Sequence, residues 1–415
     1  MKKYMILIVT TILVLLLIAI AYYKKNVPEL DPHNKVKLDT NLNFDYKMIK
    51  LANSHANKSN YMISPLSIAY ALSILEEGAT NNTKDEIDKV LNNYSLPKII
   101  NIKNRISLAN ALFIKNDYPV KDKFIEDVRN KYNSEVLYDE FQTPKVINDW
   151  VNEKTYKMIP NVLDSIDPLF KVGIANALAI DVEWQNKFEC TSTKKDVFTL
   201  SNNTTMDTAM MHSKNDISYF EIKGAKGIVK DYAKYNPNTG NIDYENGTQL
   251  EFIAIMPDDI DIFIDNMDSK VLEEINKNLR KPGEKLEINL SLPKFTYDYN
   301  YEAFKGDLIE LGIKDAFNSI NASFKNIADK ELYVSDAIHK SHIELSENGT
   351  KAAAVTIFMM RDSAMIREDE KEIINIKFDK PFIYIIKDKE SNNIWFFGTV
   401  YEPMKFENNS KCEIK

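Results

Sequence analysis

Between Glu347 and Asp362 the chain reads ENGTKAAAVTIFMMRD, and from Gly349 to Met360 one lysine is the only charge. Charged tracts flank this ribbon, REDEKE on its far side. Alanine and methionine favour a helix. The Val-Thr-Ile-Phe that follows favours a strand, although three leading alanines are poor strand formers. If the ribbon is extended, its side chains alternate between two faces. Thr350, Ala352, Ala354, Thr356, Phe358 and Met360 share one face, small at first, then larger, and free of charge. Lys351, Ala353, Val355, Ile357, Met359 and Arg361 share the other. Gly349, just ahead, tolerates backbone angles that other residues avoid and suits a hinge. Read from its residues alone, the ribbon is conformationally ambivalent, and no proline interrupts it.

The rest of the chain punctuates more clearly. Ser64-Pro65 followed by Ile68, Leu72 and Leu75 marks a helix start and its apolar stripe. Gly78 ends that helix, and Thr83 with Glu86 is set for a capping box on the next one. RISLANALFIKN and VGIANALAIDVEWQNKF read as buried strands, with helix-like segments at Lys121 to Tyr132 and Lys145 to Met158. After Phe188 strands dominate: ISYFEIKG, GIVKDY, TQLEFIAIMPDD and KLEINLSLPKFTYDY, with VLEEINKNL helical between them. Near the C-terminus, KEIINIKFDKPFIYIIKDKESNNIWFFGTVYEP predicts strands paired around Ser391-Asn392-Asn393. Helices and strands mix without regular alternation, which predicts an α+β fold rather than a doubly wound one.

Residues 1–25 stand apart. Tyr4 to Tyr23 carries no charge and lies between Lys2-Lys3 and Lys24-Lys25. That length suits a membrane-spanning helix, while Ala19-Ile20-Ala21 also fits the cleavage site of a signal peptide. An uncleaved anchor is favoured, because the run is long for a signal core. Either reading places the remainder outside the cell or at its surface. Residues 26–40, with Pro28 and Pro32, read as a linker. Cys190 and Cys412 are the only cysteines, which excludes a disulfide-rich scaffold and a cysteine zinc site. A bridge between them would have to tie down a polar tail, and none is expected. The glycosylation sequons at Asn81, Asn202, Asn246 and Asn348 are assigned no function in so asparagine-rich a chain.

Catalytic signals are missing. The net charge of −8 comes from dispersed lysines, arginines and carboxylates, so no nucleic-acid-binding face is expected. The five histidines form no H-E-x-x-H and lie near no cysteine, so no metal site is expected. There is no G-x-S-x-G elbow, Walker loop or G-x-G-x-x-G, and neither enzymatic activity nor a cofactor is predicted.

The order of blocks supplies what single motifs do not. ISPLSIAYALSILEEGATNNTKDEI, NALFIKN, INDWVNEKTYKMI, NALAIDVEW, SLPKF, LGIKDAF, AIHKSHIELSENGTKAAA and KFDKPFIYII…FFGTVYEP follow one another as in the serpin family, which the chain resembles along nearly its whole length after Thr40. The resemblance implies a serpin domain over 41–405 and a polar tail over 406–415. It implies three β-sheets with surrounding helices and an exposed reactive-centre loop rooted at Glu347. The implied function is suicide inhibition of a serine protease, with cysteine proteases as a second class. The cleaved loop inserts into the main sheet while the acyl-enzyme persists, which requires a metastable native state. The hinge would comprise Glu347, Gly349, Thr350, Ala352, Ala353 and Ala354, mostly small and free of proline. By position, Ser64, Ser67 and His339 match the family's buried hydrogen-bonded cluster beneath the main sheet, and Trp184 the aromatic at its top. Family spacing puts the scissile bond at Ser363-Ala364, with Arg361-Asp362 as runner-up. A glycan on Asn348 would block insertion, so that sequon is expected to be unused. Two departures stand out: Ala179 to Val182 reads Ala-Ile-Asp-Val where the family has an aromatic pair and Lys-Gly, and Lys351 replaces a common acidic residue. The implied partners are a target protease and, if the N-terminal helix is retained, a membrane, with the protein a monomer. The alternative is a non-inhibitory serpin acting as a binding, carrier or chaperone protein.

Overall fold

In the computed structural model the described residues are 32–245, 247–350 and 371–407, with side chains from 41 onward. They begin in α1 (Pro32–His55), followed by β1 (Tyr61–Ile63), α2 (Pro65–Gly78) and α3 (Asn81–Leu91). The tract read as a linker is therefore helical from Pro32 on. Proline is well suited to a first helical turn, where its missing N–H loses no bond, so Pro32 marks a start and not a break. α2 begins as expected: the Ser64 hydroxyl accepts the Ser67 amide at 3.1 Å, and Gly78 is the last residue. The predicted capping box does not form. α3 starts two residues before Thr83, whose hydroxyl instead accepts the Ser323 amide at 3.0 Å. Glu86 accepts the amides of Lys314 and Asp315, each at 2.7 Å. Both side chains fasten α3 to a distant loop, so tertiary contacts displace the local motif.

Next come β2 (Ile106–Lys115), α4 (Asp122–Tyr132), β3 (Ser134–Asp139), α5 (Lys145–Lys154), β4 (Val172–Ile180) and β5 (Val182–Glu183). α5 stops short of Met158 because Tyr156 and Lys157 take positive φ, 51° and 65°. Strands β6 (Lys194–Thr199), β7 (Thr205–Lys214), β8 (Ser218–Ile222), β9 (Ala225–Asp231) and β10 (Leu250–Pro257) precede α6 (Ile260–Asp265) and α7 (Val271–Lys277). The chain closes with β11 (Leu286–Pro293), β12 (Phe295–Asn300), α8 (Phe304–Leu311), β13 (Lys340–Leu345), β14 (Gly349–Thr350), β15 (Glu372–Lys377), β16 (Phe382–Asp388) and β17 (Ile394–Val400). The predicted C-terminal pairing is β16 against β17, turning where Asn392 sits at φ 60°.

One sheet runs β1-β17-β16-β10-β9-β8 and another β15-β11-β7-β6. The main sheet is split into β3-β2-β4 and β12-β13-β14-β5, joined where β4 passes into β5 through Asp181. α2 lies between the sheets, touching β4 on one side and β17 on the other. β10, β16 and β17 are buried almost throughout and mostly apolar, and Glu251 of β10 and Lys387 of β16 are buried as an ion pair.

The cysteine expectation needs correcting: Cys190 is disulfide-bonded, and the chain's other cysteine, Cys412, lies outside the described residues. The amides of Met404 and Phe406 donate to the carbonyls of Lys294 and Asp207 at 2.9 Å each, securing this stretch beside β7, and the described residues end at 407. Among the described residues no helix is long and apolar enough to cross a membrane, and the Tyr4 to Tyr23 run lies outside them.

Candidate functional site: a hinge at the mouth of a split sheet

At the end of β13 the chain reverses in a tight turn, with the Ser346 amide donating to the Gly349 carbonyl at 3.0 Å. It then enters the main sheet as β14, paired on both edges: Thr350 with Leu345 on one side, Gly349 with Glu183 and Thr350 with Val182 on the other. Gly349 has φ 153°, and a Cβ there would lie 2.1 Å from the Val182 carbonyl oxygen. Only glycine allows backbones to approach this closely. The Thr350 hydroxyl is buried 2.6 Å from that of Tyr232, whose ring stacks on Trp184 with centroids 4.5 Å apart. Trp184 in turn donates its indole N–H to the Ser346 carbonyl at 2.9 Å. Trp184 thus packs between the turn and Tyr232, next to the paired Gly349 and Thr350.

Glu347 anchors the turn. Its carboxylate, 4% exposed, pairs with Lys294 at 2.9 Å and accepts the Thr193 hydroxyl at 2.8 Å, while its carbonyl accepts the Phe188 amide at 3.0 Å. Nearby, Lys230 is buried against the Phe188 and Trp184 rings, its ammonium 4.6 Å from the Phe188 centroid, and pairs with Asp216. Burial pushes the Lys230 pKa down, and Asp216 opposes that shift. Sequence reasoning missed Thr193, Lys230, Tyr232 and Lys294. Each is brought to the hinge from another strand or loop, and no local pattern announces it.

Lower in the sheet, the structure does bring Ser64, Ser67 and His339 together. The His339 Nε2 accepts the Ser64 amide at 3.1 Å, which requires that nitrogen to be unprotonated. Burial agrees, lowering the His339 pKa to about 4. The Ser67 hydroxyl donates to Asn176 on β4, and Asn176 donates to Asn110 on β2 at 2.8 Å. On the other side, the Ser341 hydroxyl of β13 donates to the Met62 carbonyl at 2.6 Å. These polar contacts tie β4 and β13 separately to the layer beneath.

Between the two strands lies a cavity of about 980 Å³. Ala177 and Ala179 of β4 line one wall, Ser341 and Ile343 of β13 the other, and Ser67 belongs to its floor, with Thr350 at the mouth. Among the described residues β4 pairs only with β2, and β13 only with β12 and Thr350. The facing edges therefore offer backbone donors and acceptors to a strand lying between them. Lys351, Ala352, Ala353 and Ala354, and both proposed scissile pairs, Ser363-Ala364 and Arg361-Asp362, lie outside the described residues.

The profile of the family Serpin (serine protease inhibitor) matches residues 39–403. The chain belongs to the serpin family. The leukocyte elastase inhibitor of Equus caballus is 30% identical over 394 residues, covering 88% of this chain and 98% of its own. An uncharacterised serpin-like protein of Thermococcus kodakarensis is 29% identical over 373 residues, covering 84% and 82%. Among solved structures, the thermophilic serpin tengpin in its native state superposes with a TM-score of 0.75 at 29% identity, covering 90% of this chain and 95% of its own. A thyroxine-binding globulin bound to thyroxine, with a TM-score of 0.70 at 22% identity over 89% of this chain and 99% of its own, shares the fold. The α+β serpin architecture expected from the sequence is the one observed. In this serpin the main sheet is split, with the paired Gly349 and Thr350 at the mouth of the gap.

Proposed function

We propose that this serpin is a suicide-type protease inhibitor acting outside the cell, directed at a serine protease, with cysteine proteases as the second class. The observation that carries the reading is the two-sided pairing of Gly349 and Thr350 at the mouth of the cavity between β4 and β13. Continuing the β14–β5 register residue by residue sets Lys351 opposite Asp181, Ala352 opposite Ile180, Ala354 opposite Leu178 and Met360 opposite Val172. Val172 is the first residue of β4, so the ribbon from Lys351 to Met360 has the length of the slot. Thr350 points inward to Tyr232, and the alternation carries Ala352, Ala354 and Thr356 inward with it. The protease nucleophile attacks the carbonyl of the scissile residue, the peptide bond breaks, and the new amine leaves. The loop then enters the slot while still joined to the enzyme as an ester, or a thioester for a cysteine enzyme. Ser363-Ala364 is the proposed bond and Arg361-Asp362 the second choice.

Two features support export. The Tyr4 to Tyr23 run suits an anchor or a signal peptide, and the disulfide at Cys190 suits an oxidising compartment. The test combines a panel of serine and cysteine proteases with thermal melting before and after loop cleavage. The expected results are an SDS-stable complex, a large rise in melting temperature, and a released fragment beginning at Ala364 or Asp362. Clean cleavage with neither complex nor rise would make the chain a non-inhibitory binding, carrier or chaperone serpin.

A further inference from the structure

Asp231 of β9 and Glu251 of β10 are paired neighbours, yet the chain runs from Tyr232 to Gln249 to join them. A hairpin needs only a few residues, and a connection this long usually has a function or is disordered. Here it folds on itself around one side chain. Tyr235 exchanges backbone bonds with Thr248 at 2.9 and 2.8 Å, and Asn236 donates its amide to Asn241 at 2.8 Å and its side chain to Asp243 at 2.9 Å. A Cβ on Gly247 would fall 2.7 Å from the Tyr235 carbonyl, so the loop closes tightly on that residue. Tyr235 itself is 1% exposed, with the Arg105 guanidinium over its ring at 5.1 Å.

The loop occupies the far edge of the strand that receives the hinge. The Glu183 amide donates to the Tyr235 hydroxyl at 2.9 Å, and the Glu183 carbonyl accepts the Ala233 amide at 2.7 Å. On the hinge side of the same stretch, the Trp184 amide donates to Asn348 at 2.8 Å and the Phe188 amide to Glu347 at 3.0 Å. The Glu183 carboxylate is gripped by Lys187 at 2.8 Å and Arg105 at 3.3 Å, and the Arg105 carbonyl accepts the Asp181 amide at 2.7 Å. β5 is only two residues long and is separated from β4 by Asp181. So short a strand makes few ladder bonds of its own, and the groups on its far edge supply several of the contacts that hold it.

We propose that the Tyr232–Gln249 loop is a strap that positions β5 for the hinge, with Tyr235 and Arg105 as positioning residues that set how firmly Gly349 and Thr350 stay paired. The consequence for entry of the cleaved loop rests on the inhibitory reading; the positioning of β5 does not.

Tyr235→Phe keeps the ring and removes only the hydroxyl. Hydrogen exchange of the uncleaved full chain should then be about fivefold faster in peptides spanning 182–188, as expected for losing one net hydrogen bond. Exchange in β16 and β17 should be unchanged. Arg105→Gln, which leaves the hydroxyl in place, should accelerate the same peptides more weakly. Unaltered exchange at 182–188 in Tyr235→Phe, or equal acceleration across the six-stranded sheet, would overturn the proposal. No protease enters this measurement, so absence of inhibition would leave a positive result standing, and a negative one would leave the inhibitory reading intact.

Discussion

Glu347 is the most exacting place to perturb the hinge. Its carboxylate is 4% exposed and the Lys294 side chain 14%, with 2.9 Å between the charged atoms and the Thr193 hydroxyl completing the carboxylate's shell. Removing one member of such a buried pair leaves the other charge in a site built for two. The usual cost is about 3–5 kcal/mol, well above the value of an exposed pair. Lys294 keeps a narrow path to water, which places the expected cost for Glu347→Gln near the lower end, about 3 kcal/mol. Replacing both partners is different. Lys294→Met in the Glu347→Gln background removes the stranded ammonium, and most of the loss should return.

The assay is a double-mutant cycle on the uncleaved protein, read by urea unfolding with the slope checked across the four variants. Each single variant strands one charge and should be less stable than the double variant, and the coupling should be at least about 2 kcal/mol. A coupling below about 0.5 kcal/mol would refute the reasoning, because the pair would then be behaving as a solvated surface contact. The comparison also separates charge from packing. Lys294→Met keeps the apolar stem, so a loss in that variant alone reports the stranded Glu347 carboxylate and not lost packing.

Three further outcomes follow from the same site. Thr350→Arg would place a charge in the buried space beside Tyr232, so protease cleavage should proceed with no rise in melting temperature and no stable complex. A rise equal to wild type would place the hinge elsewhere. On the proposed insertion the continued register sets Lys351 opposite Asp181, which lies within the other stretch, Ala179 to Val182, where this chain departs from its family. Asp181→Lys should therefore lower the melting temperature of the loop-cleaved form, and adding Lys351→Glu should restore it, each step worth about 0.5–1 kcal/mol; an additive double variant would break that register. His339 is neutral when folded, its pKa depressed to about 4 from an unfolded value of 6.5. The unfolded chain therefore takes up the proton first, and the contribution of this site is intact above pH 6.5 and lost as pH falls towards 4, by roughly 3 kcal/mol. His339→Gln should flatten that part of the stability profile, and an unchanged slope between pH 4 and 6.5 would show that other groups carry it.

What the sequence disclosed depended on the range of the forces involved. α2 was legible because Ser64, Pro65 and Gly78 act within a turn of the residues they govern. β16 and β17 were legible because strands buried on both faces are apolar over most of their length, the buried Lys387 of β16 being paired with Glu251. The capping box failed for the opposite reason: Glu86 finds two amides more than two hundred residues away, a better arrangement than one local amide. Lys230 of GIVKDY is buried because Asp216 from the β7–β8 turn and the rings of Trp184 and Phe188, just after β5, surround it. The disulfide at Cys190 was missed because two cysteines so far apart in sequence give no local sign of pairing.

The ribbon after Gly349 belongs to neither group. Its residues were plain, yet they pointed to no single conformation, and on the proposed mechanism that is a requirement. A segment rich in strong strand formers would be driven to pair with the facing edges of β4 and β13 before any protease arrived. Alanines at the leading end reduce that drive while remaining small enough to pass the mouth defined by Val182, Tyr232 and Trp184. The bulkier Ile357, Phe358, Met359 and Met360 come last, opposite the far end of β4. Weak propensity in front and apolar bulk behind give a segment that is slow to enter and, once inside, has both backbone edges and an apolar face to hold it there.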